Sequence, residues 1–223
     1  MCAMSKSPKP KVSRDPAKPG ANPWLLAGLL AIFVATLISY IPALRGGYIW
    51  DDDAYVTENA TLHSASGFRS IWFDLRATPQ YYPMTHTSFW IEYRLWGLNP
   101  AGYHAVNVLL HALNACLLWL VLRRLQVPGA FLAAAIFALH PVQVESVAWI
   151  TERKNTLSGF FYMLSLLNGI AFFKLTSEPS RLRPRTLYLL SLVFFIAALL
   201  SKSVTVSLPA VLVLLLWWKR GRV

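Results

Sequence analysis

Long apolar stretches separated by short polar breaks dominate this chain of 223 residues. A helix of about 20 apolar residues crosses the roughly 30 Å of hydrocarbon in a bilayer. The pattern therefore predicts an all-α integral membrane protein with six transmembrane helices. The predicted spans are residues 24–44, 101–122, 129–150, 156–173, 186–200 and 203–218.

Between the first two predicted spans lies a long loop, residues 45–100, which exceeds the length of an ordinary connector. Two of its pieces carry apolar residues at helical spacing, one around Phe68 and Trp72 and the other around Phe89 and Trp96. Helices with an aromatic face and a charged face lie in the plane of the membrane interface. We therefore predict two interfacial amphipathic helices in the loop, where they cover a cavity.

Composition and charge indicate the class and the orientation. The chain is 56% hydrophobic, more than a soluble domain of this length can bury, yet its net charge is +11. Of its 21 Lys and Arg residues, 14 fall in segments 1–23, 123–128, 174–185 and 219–223. By the positive-inside rule these segments are cytoplasmic, which puts both termini in the cytoplasm and the long loop on the outer side.

The distribution of Lys and Arg residues also predicts how the chain is divided and which partners it contacts. Residues 1–23 form a basic tail that we predict to be disordered, and residues 24–223 form the membrane module. Because the basic residues stand in short patches at helix ends, they predict contact with a membrane and not with nucleic acid. Cys2 and Cys116 are too far apart in this topology to pair, and no spacing of Cys and His predicts a metal site.

An acidic cluster, Asp51 to Asp53, follows Trp50 shortly after the first predicted span. Adjacent carboxylates repel one another and gain nothing from packing. Charges at a membrane boundary are candidates for function. An ordinary acidic flank of a span is the alternative.

The second predicted span carries a polar stripe. His104, Asn107, His111 and Asn114 recur at spacings of three and four, which places them on one helix face. In lipid such a face must meet protein or water. The stripe predicts either hydrogen bonds between helices or one wall of a substrate cavity.

Basic residues gather at the predicted outer boundary, against the positive-inside rule. The third predicted span ends in a polar stretch with His140 and Glu145, and Arg153, Lys154 and Lys202 reach the same surface. Converging Arg and Lys side chains suit a lipid-linked phosphate. Contact between snorkelling side chains and ordinary lipid headgroups is the alternative.

Several motifs in fixed order carry a resemblance to a known family. They are Trp50-Asp51-Asp52, Tyr82-Pro83-Met84, the run from Trp96 to Asn107 with His111, His140-Pro141-Val142, the run from Val144 to Trp149, Glu152-Arg153-Lys154, Ser201-Lys202 and Leu208-Pro209. Together they resemble the N-terminal part of the tetratricopeptide-repeat-associated O-mannosyltransferases, which belong to the GT-C class of integral-membrane glycosyltransferases.

The resemblance implies a reaction and a fold. A GT-C-like N-terminal module would help to move mannose from a polyprenyl-phosphate carrier to a Ser or Thr hydroxyl of a protein acceptor, at the outer membrane face and with inversion. Asp51 or Asp52 would be the general base. The lipid-linked sugar is the substrate, the resemblance identifies no definite cofactor, and a divalent metal is left open.

The remaining site residues follow from the same resemblance. Arg153, Lys154 and Lys202 would stabilise the phosphate leaving group. The predicted cavity-lining residues are Trp50, Tyr82, His104, Asn107, His111, His140 and Glu145.

The chain also departs from the family pattern. Asn155 and Ser203 stand where other residues are expected, and no 34-residue helical repeat occurs. We therefore expect the N-terminal catalytic half of such an enzyme, or an inactive fragment, with a partner supplying the rest. A non-catalytic membrane module that binds polyprenyl-phosphate lipid or scaffolds a partner is the alternative, and a secondary transporter is disfavoured because the spans show no internal repeat.

Overall fold

The computed structural model describes residues 22–176 and 179–221, and within these residues it contains helices and no strand. The prediction of an all-α chain is confirmed at this level. Residues 1–21 of the predicted basic tail lie outside the described residues. The α-helices of the described part are α1 (Pro23–Ser39), α2 (Ala60–His63), α3 (Gly67–Phe73), α4 (Pro83–Trp96), α5 (Pro100–Arg124), α6 (Ala130–Leu139), α7 (Val144–Ala148), α8 (Arg153–Phe172), α9 (Pro184–Ser201) and α10 (Leu208–Arg220).

Fewer helices qualify as membrane spans than the six predicted. In the described part of the chain, four helical stretches are long and apolar enough to cross a bilayer. They are Pro23–Arg45, Pro100–Arg124, Pro184–Ser201 and Ser203–Arg220. Helix α6 and the segment Pro141–Ala148 add a fifth if the bent pair is one span. This number of long apolar helices is typical of a multi-pass membrane protein.

Helix α8 accounts for the difference in count. It covers the predicted span 156–173 except its last residue and is 20 residues long. However, Asn155 and Asn168, together with two serines, lower its hydropathy, so it does not qualify. The sixth span therefore stays a prediction.

The bend after α6 follows from Pro141. The residue before a proline is sterically excluded from the helical region, and His140 has extended backbone angles of φ −69° and ψ 131°. Helix α6 therefore ends at Leu139, and the chain continues into α7 at an angle of 52°. The bend therefore lies at Pro141.

Helix α5 is the centre of the bundle and packs against α1, α6 and α8, while α8 packs along α9. Its start is fixed by Asn99, whose side chain accepts a hydrogen bond from the backbone N–H of Ala101 at 3.1 Å, and by Pro100 in the first turn. Because α5 begins at the long loop, the polar stripe on its first half lies at that end of the bundle. We call this the loop end.

The long loop is folded onto the loop end. An apolar cluster joins it to the helices; its buried members are Tyr55, Val56, Leu62, Phe89, Tyr103 and Ile150. Helices α3 and α4 occupy the two pieces in which helices were expected. Their position in a membrane interface stays a prediction. The Arg94 guanidinium lies 3.4 Å above the Trp90 ring and donates to two loop carbonyls, which ties α4 to the loop.

Candidate functional site

Asp52 fastens the start of the long loop to the turn between α7 and α8. Its side chain is fully buried. One carboxylate oxygen accepts from the backbone N–H of Ile49 at 2.9 Å, and the other accepts from the backbone N–H of Thr151 at 2.8 Å and from the Thr151 hydroxyl. Hydrogen bonds to an ionised group are about twice as strong as neutral ones. Asp52 is thus a structural tether whose two oxygens are both engaged.

Asp51, the other residue predicted as a base, has a different environment. Its side chain is half-buried, and no donor within the described residues reaches its buried Oδ1. Trp50, directly before it, has a left-handed backbone conformation with φ 51°. This conformation costs roughly 1–3 kcal/mol in a bulky residue, and such strain clusters at functional sites. Of the two aspartates, the geometry favours Asp51 as a group that meets a substrate.

Two lysines flank Glu152 at the loop end. The Lys154 ammonium lies 3.1 Å from one Glu152 carboxylate oxygen, and the Lys202 ammonium lies 3.8 Å from the other. Asn155 connects the two sides, because its amide donates to Glu152 and its carbonyl oxygen accepts from Lys202. We call these four residues the lysine cluster. Its two ammonium groups and one carboxylate leave a net positive charge, which attracts an anion.

Tyr55 lies close to the lysine cluster and to Asp51. The Lys154 ammonium is 5.3 Å from the centre of the Tyr55 ring and 5.9 Å from a ring of Trp149, distances typical of cation–π contacts. Burial raises the pKa of the Tyr55 hydroxyl, and the charge of the nearby Asp51 raises it further. His86 stacks on the Tyr55 ring with centroids 5.1 Å apart. Carboxylate, ammonium and aromatic rings are thus brought together from four parts of the chain.

Arg153 does not have the accessible position that phosphate binding requires. Its side chain is fully buried, and all five N–H groups of its guanidinium donate within the protein. The acceptors are both carboxylate oxygens of Glu92, the side chains of Ser88 and Asn107, and the backbone carbonyl of Tyr103. Because Glu92 neutralises the guanidinium inside the bundle, this geometry does not favour the phosphate role of Arg153, which stays a prediction. Arg153 joins α4, α5 and α8.

The polar stripe on α5 holds helices together along most of its length. Asn107, His111 and Asn114 each face a backbone carbonyl of another element, at 2.9, 3.0 and 2.8 Å. Asn107 also accepts from Arg153. Of the two interpretations of the stripe, hydrogen bonding between helices accounts for these three residues. His111 and Asn114 additionally line a cleft beside α8.

Several buried polar atoms at the start of the long loop lack a partner within the described residues. They are Tyr48 Oη, Asp51 Oδ1, His104 Nδ1 and Nε2, and Trp149 Nε1. His104 lies against this turn, since a Cβ built on Gly46 would be 3.0 Å from its Nε2. Burial raises the pKa of Tyr48 to about 12, so its hydroxyl keeps its proton. Buried polar groups are nearly always hydrogen-bonded, so these atoms distinguish this turn from the fully bonded tether at Asp52.

The other predicted cavity residues do not all lie at the site. Trp50 is 74% exposed and meets Trp149 edge-on with ring centroids 4.8 Å apart, and Tyr82 is half-buried before α4. Glu145 is exposed on α7. His140 is also exposed, and its Nδ1 accepts a backbone N–H two residues on, so its ring caps the turn after α6. Trp50 and Tyr82 lie with the site, whereas His140 serves local structure.

Three residues that organise the site have no role in the sequence-based prediction. Glu152 directly precedes two basic residues, Arg153 and Lys154, and this is the signal that could have found it. Asn155 stands out in the sequence only as a departure from the family pattern. Glu92 had no local signal, because its partner Arg153 is 61 residues away along the chain. Among the described residues, no group of three or more His, Cys, Asp or Glu side chains could hold a metal ion.

Fold and site together define a class: an all-helical, multi-pass membrane protein with a carboxylate and two lysines gathered at one end of its bundle. No family model and no solved structure matches the sequence. Curated relatives do. The chain is 31% identical over 154 residues to Protein O-mannosyl-transferase Tmtc1 of Drosophila melanogaster, covering 64% of this chain and 18% of that protein.

Two vertebrate relatives align over more of the chain. Protein O-mannosyl-transferase TMTC4 of Mus musculus is 28% identical over 205 residues, and that of Homo sapiens is 26% identical over 198 residues. These alignments cover 81% and 78% of this chain and 28% and 27% of the relatives. The chain is therefore similar to the N-terminal part of the TMTC protein O-mannosyl-transferases. It spans about a fifth to a quarter of the length of these relatives.

Proposed function

We propose that this chain forms the catalytic face of a GT-C-class glycosyltransferase in the membrane. It transfers mannose from a polyprenyl-phosphate carrier to a Ser or Thr hydroxyl of a protein acceptor. The long loop and the site lie on the outer face, and both termini are cytoplasmic. The single observation that carries this proposal is Asp51, a half-buried carboxylate near the Tyr55 ring that Lys154 also contacts, in a chain similar to the TMTC proteins.

Asp51 supplies the general base in this proposal. It accepts the proton of the acceptor hydroxyl as that oxygen bonds to the anomeric carbon of mannose, while the bond from this carbon to the phosphate oxygen breaks. The electron pair of the broken bond leaves with the lipid phosphate, and attack from the opposite face inverts the carbon. A positioned base of this kind contributes typically 10²–10⁴-fold to the rate.

The lysine cluster stabilises the leaving group. A phosphate that is already ionised needs positive charge rather than a proton donor, and Lys154 and Lys202 provide it. Glu152 holds both ammonium groups at one place before the donor arrives. Because Glu92 neutralises Arg153, the two lysines are the cations that bind the donor phosphate in this proposal. The proposed reaction requires no cofactor. A partner that supplies the rest of the family's length completes the enzyme.

The test compares three neighbouring aspartates in membranes that contain the chain, a mannosyl-phosphate lipid and a Ser/Thr peptide. Asp51→Asn keeps the size of the side chain but removes the base, so we expect a loss of transfer of at least ~100-fold with normal abundance. Asp52→Asn should instead reduce the amount of folded protein, because it weakens a buried tether. Asp53→Asn is the matched control, since Asp53 is exposed, and its effect should be small. Full transfer by Asp51→Asn would refute the mechanism.

A non-catalytic module that binds lipid phosphate or scaffolds a partner is the second candidate. It is favoured by the lysine cluster, which can hold an anionic headgroup without any contribution from Asp51. Donor binding by the unmodified chain together with no transfer, even beside its natural partners, would support this candidate over the enzyme.

A further inference from the structure

A polar cleft of about 210 Å³ lies on α5, between α6 with the bend that follows it and α8. The cleft is partly open and is not an enclosed cavity. Phe137, Gly159 and Met163 are its apolar lining residues. Its polar lining residues are His111, Asn114, Gln143, Ser146, Asn155 and Thr156. Apart from Asn155, the proposed transfer reaction uses none of these side chains, so the cleft needs an explanation of its own.

The middle of the cleft lies at the depth of the hydrocarbon. Helix α5 is one of the stretches that are long and apolar enough to cross a bilayer. At 1.5 Å per residue, Asn114 lies about 15 Å from the end of α5 at Arg124, and Gly159 lies about 20 Å from the end of α8 at Phe172. Both distances fall within a hydrocarbon layer about 30 Å thick. Polar groups at this depth must meet protein or water, because lipid chains form no hydrogen bonds.

Asn114 uses only one end of its amide within the described residues. Its nitrogen donates to the backbone carbonyl of Thr156 at 2.8 Å, whereas no described donor reaches its buried Oδ1. The residue as a whole is only 5% exposed. Gln143 is half-buried, and its side chain makes no hydrogen bond to the described residues. The cleft thus offers one acceptor and one amide to a side chain that can both donate and accept.

The outward faces of the other long helices differ from the cleft, because they are apolar. Their exposed residues include Leu30, Val34 and Ile38 on α1 and Leu189, Val193 and Ile196 on α9. Such faces suit lipid chains, and these residues have no hydrogen-bonding group to place against Asn114. A second copy of this chain, packed by either face, would therefore leave the cleft incomplete.

The size of the cleft limits what can enter it. A volume of about 210 Å³ holds one or two side chains and is far too small for a helix. A helix can therefore only lie across the opening and insert a side chain. Gly159 favours this close approach, because small residues let the backbones of membrane helices come together. A Cβ added to Gly159 would lie 3.2 Å from the Asn114 amide nitrogen, which is tighter than an ordinary contact.

We propose that this cleft docks a transmembrane helix of a second membrane protein, which inserts one Asn or Gln side chain beside Asn114. A carboxamide has N–H donors for Asn114 Oδ1 and an oxygen that accepts from the Gln143 amide. Among the described lining residues there is no Asp, Glu, Lys or Arg, so a charged side chain would have no partner of opposite charge. The inference goes beyond the transfer reaction, and a scaffolding module would use the same surface.

The experiment measures association between the full chain and a model transmembrane peptide in phosphatidylcholine vesicles, by energy transfer between a dye on each. One peptide is a leucine-rich helix of about 20 residues with a single central Gln, and its matched control has Leu at that position. Because a hydrogen bond between helices in a membrane is modest, we expect the Gln peptide to bind at least ~3-fold more tightly. Equal binding of the two peptides would overturn the proposal.

Three variants locate the bound peptide. Asn114→Leu removes the acceptor and Gly159→Leu fills the cleft, so each should abolish the preference for the Gln peptide. Ala133→Leu adds the same side chain on the exposed surface of α6 and should leave the preference unchanged. A preference that persists in both cleft variants would place the contact elsewhere and overturn the proposal. The comparison of the two peptides uses the unmodified chain, so it decides even where a variant does not fold.

Two controls separate this proposal from its alternatives. Energy transfer between two labelled copies of the chain that is lost in Gly159→Leu, with no preference for the Gln peptide, would assign the cleft to a second copy and overturn the proposal. Asp51→Asn should bind the Gln peptide as the unmodified chain does, because Asp51 does not line the cleft. Loss of transfer in Asp51→Asn without a preference for the Gln peptide therefore refutes the docking site alone, and the reverse result refutes the proposed mechanism alone.

Discussion

Replacement of Arg153 tests whether this residue is structural, as its contacts indicate, or binds phosphate, as its sequence context predicts. Arg153→Met removes the guanidinium but keeps most of the aliphatic volume. It leaves Glu92 buried without its charge partner and deprives Asn107 of a donor. Removal of one member of a buried ion pair costs about 3–5 kcal/mol, which lowers the melting temperature of a chain of this size by roughly 6–20 °C.

The design is a double-mutant cycle read by thermal unfolding in detergent. Glu92→Met alone leaves the guanidinium buried and unpaired, so we expect a loss of similar size. Arg153→Met with Glu92→Met removes both charges, and the double variant should recover most of the loss, because apolar residues of similar volume replace buried ion pairs at little cost. Farnesyl phosphate binding by the double variant should equal that of the unmodified chain.

Two results would refute this reasoning. A single Arg153→Met variant with an unchanged melting temperature and weakened lipid-phosphate binding would restore the phosphate role. Losses that add in the double variant, without recovery, would show that the two side chains contribute separately and that the pairing is not what stabilises them.

Two further predictions concern the bundle and its pH dependence. Asn107→Leu should destabilise the protein more than Asn114→Leu in the same thermal assay. Asn107 accepts a hydrogen bond from Arg153 and donates one to the α7–α8 turn, whereas Asn114 makes one such bond. Equal losses of stability would contradict this order. Burial lowers the pKa of His86 to about 4, against an unfolded value near 6.5. Since the unfolded chain then binds more protons, stability is complete above pH 6.5 and falls as the pH drops towards 4, by about 2 kcal/mol at pH 5. His86→Phe should remove this part of the acid sensitivity, and an unchanged pH profile would count against it.

The helices could be predicted from the sequence because each depends on local signals. The caps at Asn22 and Asn99, the proline after His140 and the spacing of Phe89 to Trp96 all act within a few residues. The count of spans was less secure, because α8 mixes asparagines and serines with leucines. Because α8 packs between α5 and α9, these neighbours can supply hydrogen-bond partners to its polar residues. The hydropathy of α8 therefore understates how much of it is buried.

The site could be predicted only as a set of residue types. The sequence predicts that Asp51, Asp52, Arg153 and Lys154 lie near the outer membrane boundary. It does not show which of them hold the structure together and which are free to react. That division depends on partners far away in the chain, such as Thr151 for Asp52 and Glu92 for Arg153. Charge alone is therefore a poor guide to which basic residue meets a ligand.

The hydrogen bonds that each charged group makes distinguish the structural charges from those that can meet a ligand, which residue type alone does not do. In a low-dielectric interior an ionised group persists when its hydrogen bonds are satisfied, and Asp52 and Arg153 meet that condition within the protein. The charges of the lysine cluster are only partly satisfied within the protein. The single carboxylate of Glu152 pairs with two ammonium groups, and the Lys202 side chain is still 26% exposed. A monoanionic phosphate there would balance the excess positive charge, while among the described residues both lysines pair with Glu152 and not with Asp51. A base and an anion site that are connected but not in direct contact can act on the two ends of one transferred group, and this separation is what an inverting displacement requires.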